Sequence, residues 1–126
     1  MGTRSLTKFI EEDGKPFFCF YRQFDGYPSG HGLELAEFLS GYEVINGIGM
    51  GQETGKFANG MGCLAAQCIK HFKEGIGGFY IMHPDAKDCW QEYEYYVSLK
   101  NKKIHIKCGD FEGDTKEFLE WCKKDE

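Results

Sequence analysis

A strand gives way to a helix within one segment, residues 20–32, which reads Phe20-Tyr21-Arg22-Gln23-Phe24-Asp25-Gly26-Tyr27-Pro28-Ser29-Gly30-His31-Gly32. Bulky residues alternate at its start, as they do in a β-strand, and the Pro and Gly residues that follow are typical of a turn that opens a helix. A simple turn needs only a few small residues. This segment also carries a guanidinium, a carboxylate and an imidazole, so it is the first candidate for a functional site.

The residues before this segment predict its partner strand. Residues 3–10 alternate between two faces, so we expect them to form a β-hairpin with residues 16–24. A three-residue loop places Arg4 directly across from Arg22, whereas a two-residue loop places Gln23 opposite Arg4. Like charges that face each other are destabilising unless an anion lies between them. We therefore expect Arg4 and Arg22, the only arginines, to clamp a phosphate or carboxylate; the alternative is that each pairs with one of the 20 acidic residues.

The rest of the chain predicts the other helices and strands. Apolar spacing indicates helices over 31–39 and 60–74, and a capping box at Asp114 starts a third helix. Strands are expected at 42–45, at 79–82 and in a second hairpin over 92–99 and 103–108, and the apolar strand 79–82 is expected at the centre of the sheet. This order indicates one α+β domain, residues 1–126: a mostly antiparallel sheet of about five strands with helices packed mainly on one face.

Glycine-rich segments before the first two helices are candidates for anion binding. Ser29 or Gly30 is expected to cap the first helix, and Gly60-Met61-Gly62 opens the second. Amide groups without a partner at a helix N-terminus bind anions. Residues 46–56, which include Gly49, Met50 and Gly51, match neither standard phosphate motif. We expect this segment to be a binding loop that closes over a ligand; a surface excursion is the alternative.

Asp25 and His31 are the candidate groups for proton transfer. A protonated imidazole is disfavoured at the start of a helix, so we expect a neutral, hydrogen-bonding His31; a purely structural histidine is the alternative. If the protein is an enzyme, Asp25 and His31 would act as base and acid. No Cys and His spacing typical of a metal site is found, so we expect no metal, no cofactor and buried free cysteine thiols.

Composition restricts the partners. A net charge of −5 argues against binding to a nucleic-acid polymer, and the 16% aromatic content favours flat stacking surfaces. The opening residues lack the apolar region of a signal peptide, and no apolar run reaches membrane length, so we expect a soluble cytoplasmic protein. An exposed hairpin edge would allow a homo-oligomer.

Three segments resemble an uncharacterised family of small phage and bacterial proteins: the MGTRSLT start, the YRQFDGYPSGHG block at residues 21–32, and Val44 to Gly51. The resemblance lies within the first part of the chain and assigns neither an activity nor a site residue. A phage setting implies, by analogy, the small proteins that sequester nucleotide signals of bacterial immunity, and it places the protein in the host cytoplasm.

The leading hypothesis is a binding protein for a phosphorylated, nucleotide-like small molecule. In its narrower form, the protein is a phage sponge for an immune-signalling nucleotide. One alternative is a small enzyme that acts on a similar ligand, as a phosphodiesterase, ADP-ribose hydrolase or transferase; another is an inhibitor that binds a host defence protein. The predicted ligand-binding residues are Arg4, Arg22, Gln23, Phe24, Asp25, Tyr27, Ser29, Gly30, His31, Gly49, Met50 and Gly51.

Overall fold

The structure, a computed structural model, describes residues 2–47, 49 and 55–124. Its strands and helices follow one another in the order β1 (Ser5–Ile10), β2 (Pro16–Arg22), a π-helical turn (Pro28–Gly32), α1 (Leu33–Leu39), β3 (Glu43–Ile45), β4 (Phe57–Asn59), α2 (Gly60–Phe72), β5 (Phe79–Met82), β6 (Tyr93–Lys100), β7 (Lys103–Cys108), β8 (Phe111–Asp114) and α3 (Thr115–Lys123). The sequence did not indicate β4 or β8.

Six of the strands form one sheet in the order β5-β2-β1-β6-β7-β8, and β3 pairs with β4 separately. Neighbours in the large sheet are antiparallel except β1 and β6, which run parallel. The predicted α+β class with a mostly antiparallel sheet is therefore confirmed. Packing of the helices mainly on one face stays a prediction.

The expected position of residues 79–82 at the centre of the sheet is wrong, because β5 is an edge strand. Its apolar side chains are not all buried: Tyr80 is 46% exposed and Ile81 67% exposed. Lys73 Nζ donates hydrogen bonds to the carbonyl oxygens of Gly77 and Phe79. A lysine that occupies backbone acceptors protects an edge strand from pairing with another chain. An apolar sequence therefore did not indicate where in the sheet this strand lies.

The predicted opposition of Arg4 and Arg22 is also wrong. The turn has the expected form, since the Glu11 amide donates to the Lys15 carbonyl oxygen. The register then shifts between Phe9 and Ile10, a β-bulge that brings Ser5 opposite Arg22. Because successive residues of a strand point to opposite faces, a shift of one residue moves a side chain to the other face. Position 4 thus falls on the face opposite to Arg22.

One hydrophobic core joins the sheet to all three helices. It contains, among others, Phe9 and Phe20 from the first hairpin, Leu35 and Leu39 from α1, Leu64 and Cys68 from α2, Val97 and Ile106 from the second hairpin, and Phe118 from α3. Full burial of each large apolar side chain contributes about 1.5–3 kcal/mol. None of the six cysteines, all within the described residues, forms a disulfide bond, and Cys19, Cys68, Cys108 and Cys122 are buried.

The ends of the helices explain two further features. The predicted capping box opens α3, where Asp114 and Glu117 exchange backbone and side-chain hydrogen bonds. Such reciprocal bonds satisfy amide groups that the helix itself leaves unpaired. Among the described residues, no helix combines the length and the apolar content that a membrane crossing requires.

Candidate functional site

An open cleft of about 770 Å³ lies between the end of β2, the start of β5 and the helices α1 and α2. Its lining combines charged groups with aromatic rings: Arg22, Glu34, Glu37, Phe38, Lys56, His71, Phe72, Glu74 and Phe79. Its volume falls within the range of small-molecule sites, about 300–1,000 Å³. The cleft is the strongest candidate for a binding site in the described part of the chain.

Arg22 is fixed in the wall of this cleft by contacts on one nitrogen and on one face. Its Nη1 donates to Glu34 Oε1 at 2.6 Å and to His31 Nδ1 at 3.0 Å. The guanidinium carbon lies 5.2 Å from the centre of the Phe79 ring and 6.0 Å from that of Phe72, within range of cation–π attraction. The Arg22 side chain is only 12% exposed. These contacts restrict the guanidinium to one orientation.

His31 orients Arg22 from the buried side of the cleft wall. Its ring is fully buried, and its Nε2 lies 2.8 Å from Thr7 Oγ1. Because the guanidinium can only donate, Nδ1 must accept; the proton of the neutral ring is therefore on Nε2, which donates to Thr7. Burial, reinforced by the charge of Arg22, lowers the pKa of His31 to about 3. The neutral, hydrogen-bonding imidazole that the sequence predicts is the form that this geometry requires.

Arg22 lines the cleft, and two of its guanidinium nitrogens are left for a ligand. Both N–H groups of Nη1 are used, and Nε and Nη2 have no hydrogen-bond partner among the described residues. Within that part of the chain, the buried side-chain nitrogen or oxygen that lacks a partner is Ser5 Oγ, so the Arg22 nitrogens are not sealed inside the protein. Nε and Nη2 form a planar fork that holds a phosphate or carboxylate by two parallel hydrogen bonds.

Aromatic rings form the walls around this fork. The rings of Phe38 and His71 stack at 4.3 Å with an interplanar angle of 20°. Those of Phe72 and Phe79 stack at 5.7 Å and 21°. The cleft therefore offers flat apolar surfaces close to a guanidinium, a combination that suits a ligand with both an anionic group and a planar ring.

The turn at residues 25–32 uses its amide groups internally. The His31 amide donates to the Asp25 carbonyl oxygen at 2.7 Å, and the Gly30 amide donates to the Tyr27 carbonyl oxygen at 2.9 Å. The amides expected to bind an anion near Gly30 are therefore engaged within the turn. Its glycines permit close packing instead: a Cβ at Gly30 would lie 2.5 Å from the Asp25 carbonyl oxygen, and one at Gly32 would lie 2.9 Å from Cys122 Sγ.

Of the predicted ligand-binding residues, Arg22 lines the cleft and His31 lies behind it. Arg4, Gln23, Phe24, Asp25, Tyr27, Ser29, Gly30 and Gly49 are not part of its lining.

Several of these residues make contacts elsewhere. The Gln23 amide donates to the Gly78 carbonyl oxygen, and the Tyr27 hydroxyl donates to Asp25 Oδ1 at 3.3 Å. Phe24 is 53% exposed. Met50 and Gly51 lie outside the described residues, as does most of the predicted binding loop, so its closure over a ligand stays a prediction.

The sequence did not indicate most of the residues that line the cleft: Glu34, Glu37, Phe38, His71, Phe72, Glu74 and Phe79. Lys56, which also lines it, is the last residue of the predicted binding loop, and Thr7 contacts His31 behind the cleft. One signal was present, because Thr7 shares its face of β1 with the buried Phe9, and a buried hydroxyl needs a partner. The apolar spacing of α2 and β5 identified Phe72 and Phe79 only as core residues. Nothing in their spacing showed that they meet beside Arg22.

No family model, curated protein or solved structure matches the chain. Among the described residues, no group of three or more His, Cys, Asp or Glu residues is arranged to hold a metal ion.

Proposed function

We propose that the protein binds a small, phosphorylated, nucleotide-like molecule in the cleft around Arg22. The observation that carries this proposal is a guanidinium in the cleft lining that is fixed through Nη1, while its Nε and Nη2 have no hydrogen-bond partner among the described residues. An anion held there needs no further ordering of Arg22, because His31 and Glu34 already orient it. Preorganisation of this kind lowers the entropic cost of binding.

The aromatic walls supply the second half of the recognition. A phosphate on Nε and Nη2 of Arg22 leaves the rest of the ligand beside Phe79 and the stacked pair Phe38 and His71. A nucleobase binds well to such surfaces, since base–aromatic stacking contributes about 1–3 kcal/mol per base. An inorganic anion alone would leave these rings without a contact.

The cleft favours binding over turnover. Among the described residues, no Ser, Thr or Cys lines it, so it lacks a hydroxyl or thiol nucleophile. The His31 ring is sealed between Thr7 and Arg22, and its lowered pKa keeps it neutral, so it is a poor general acid at neutral pH. The Asp25 and His31 pair of the enzyme hypothesis would need the turn to open before either group could share a ligand with the other.

The resemblance of the first part of the chain to small phage proteins supports a narrower form of the proposal. The protein would then act as a sponge in the host cytoplasm, lowering the free concentration of a nucleotide signal of bacterial immunity. In this narrower form we also expect a homo-oligomer. The edge strand β5 could pair with a second copy once Lys73 no longer donates to the carbonyl oxygens of Gly77 and Phe79.

A panel of ligands tests the proposal. The purified protein is mixed with nucleoside monophosphates, cyclic dinucleotides, cyclic ADP-ribose, NAD and ADP-ribose, separated from free compound and denatured, and the released compounds are identified by mass spectrometry. We expect at least one compound to be depleted from solution and returned unchanged. A compound returned altered would make the protein an enzyme. If the whole panel stays in solution, the proposal is wrong, and the exposed side chains of Ile76, Ile81 and Trp90 become the surface to test for a protein partner.

A further inference from the structure

The cleft contains more carboxylates than lysine and arginine side chains, which does not suit a highly charged anion. Arg22 and Lys56 face three carboxylates, those of Glu34, Glu37 and Glu74. Glu34 forms an ion pair with Arg22, and Lys56 Nζ donates to the Ser40 carbonyl oxygen. Glu37 and Glu74 have no ion pair with any described residue. The lining therefore carries more negative than positive charge, even though its best anchor is a guanidinium.

From this imbalance we propose that the cleft selects a ligand with a single phosphate group, a nucleoside monophosphate, over polyphosphates and over rings that contain two phosphates. The inference rests on the proposed function and narrows it to one chemical class. One phosphate fits the fork of Nε and Nη2 on Arg22. In the described lining, a second or third phosphate would find no further arginine; it would find Lys56, which already donates to the Ser40 carbonyl oxygen, and the carboxylates, whose like charge repels it.

The same carboxylates suit the rest of a nucleoside. An ionised carboxylate is an acceptor only, so Glu37 and Glu74 can bind groups that donate, such as the hydroxyls of a ribose or an exocyclic amino group of a base. Hydrogen bonds to a charged acceptor are stronger than those between neutral groups. A nucleoside monophosphate places one anionic group, several donors and one planar ring on a single molecule. These three features match the three kinds of group in the cleft.

Comparison of matched nucleotides tests this inference. Dissociation constants are measured by calorimetry, at constant ionic strength and without divalent cations, for AMP, GMP, CMP and UMP, for the corresponding triphosphates and for a cyclic dinucleotide. For the base that binds best, we expect the monophosphate to bind at least roughly tenfold more tightly than the triphosphate. Equal or tighter binding of the triphosphate or the cyclic dinucleotide overturns the inference and leaves the proposed function in place. If none of these nucleotides binds, the inference fails, and the proposed function is then decided by the NAD, ADP-ribose and cyclic ADP-ribose of the first panel.

Charge-neutral variants locate the cause of the preference. Glu37→Gln and Glu74→Gln keep side-chain size and remove one negative charge each, so each should narrow the ratio of monophosphate to triphosphate affinity by roughly threefold to tenfold. Glu12→Gln, in the exposed hairpin turn, is the matched control and should leave the ratio unchanged. A ratio that neither cleft variant changes would show that these carboxylates do not select the ligand.

Discussion

The cleft around Arg22 and the turn at residues 25–32 are neighbours in the chain, yet they use their N–H groups in opposite ways. Arg22, in the cleft lining, uses Nη1 for Glu34 and His31, and its Nε and Nη2 have no partner among the described residues. The turn donates the amides of Gly30 and His31 to its own carbonyl oxygens. A glycine-rich segment before a helix therefore offers an anion site only where its amides remain unpaired. In this turn the glycines serve close packing, and an arginine outside it presents the donors.

One residue belongs to both regions. The backbone of His31 donates within the turn, while its ring reaches between Thr7 and Arg22. The turn thus acts on the cleft indirectly, because it delivers the imidazole that orients the guanidinium. Variants in the turn should change the stability of the protein, whereas variants of Arg22 should change ligand affinity.

The largest expected effect concerns the pH dependence of stability, which follows from His31. The pKa of His31 is about 3 in the folded protein and near the ordinary value of 6.5 in the unfolded chain. Between these two pH values the unfolded chain binds the proton and the folded protein does not. The contribution of His31 to stability is therefore fully present above pH 6.5 and is lost as the pH falls. The expected slope from this residue is about 1.4 kcal/mol per pH unit.

The measurement is the free energy of unfolding by denaturant from pH 7 to pH 4, for the wild type and for His31→Gln. Gln cannot be protonated, so the slope that is due to His31 should disappear in the variant, while the contribution of the carboxylates remains. Equal slopes in the two proteins would mean that the pKa of His31 is the same in the folded protein and in the unfolded chain, which contradicts the effect of its burial.

The next largest effect is a difference in stability between alanine variants of the two glycine-rich segments. A methyl group at Gly30 would clash with the Asp25 carbonyl oxygen, whereas one at Gly62, in the first turn of α2, would meet nothing within 4 Å. Gly30→Ala should destabilise the protein by about 1–3 kcal/mol. Gly62→Ala should be neutral or stabilise it by about 0.4–1 kcal/mol, since alanine loses less backbone entropy on folding. Chemical denaturation measures both, and similar losses in the two variants would refute the packing role of Gly30.

The smallest effect tests how the turn is attached to the sheet. The Tyr95 hydroxyl donates to the Gly26 carbonyl oxygen at 2.7 Å in the protein interior. Tyr95→Phe should lower stability by about 0.5–1.5 kcal/mol and leave ligand affinity unchanged, because this bond holds the turn and not the guanidinium. Tyr93→Phe, on the same strand, is the control and should be close to neutral. If Tyr95→Phe lowers the free energy of ligand binding by more than it lowers the free energy of unfolding, the turn and the cleft do not have the separate roles described above.

Local patterns predicted much of the fold. Apolar spacing identified α2, whose buried residues include Leu64, Cys68 and Phe72, and the capping box identified the start of α3. These features depend on residues only three or four positions apart. The position of β5 and the register of the first hairpin were not predictable in the same way. An edge position depends on which strands pair, and the bulge at Phe9 depends on packing across the sheet.

The candidate site shows the same limit. The sequence identified Arg22 and His31, because unusual side chains lay close together in one segment. It did not identify Phe72, Phe79 or Glu74, which come from α2, β5 and the connection between them. Residues distant in sequence form a cleft only after the sheet and helices pack, so no local spacing could reveal it. The register shift also placed position 4 on the face opposite to Arg22.

The most direct test of the central claim compares the two arginines. Calorimetric titration with AMP, GMP, CMP and UMP measures affinity for the wild type, Arg22→Lys and Arg4→Lys, after thermal melting has shown that both variants are folded. Lysine keeps the charge and removes the planar fork. We expect Arg22→Lys to weaken binding at least roughly tenfold, the loss of one strong bidentate contact, and Arg4→Lys to bind as the wild type does. Equal losses in the two variants, or wild-type affinity in Arg22→Lys, would contradict the account.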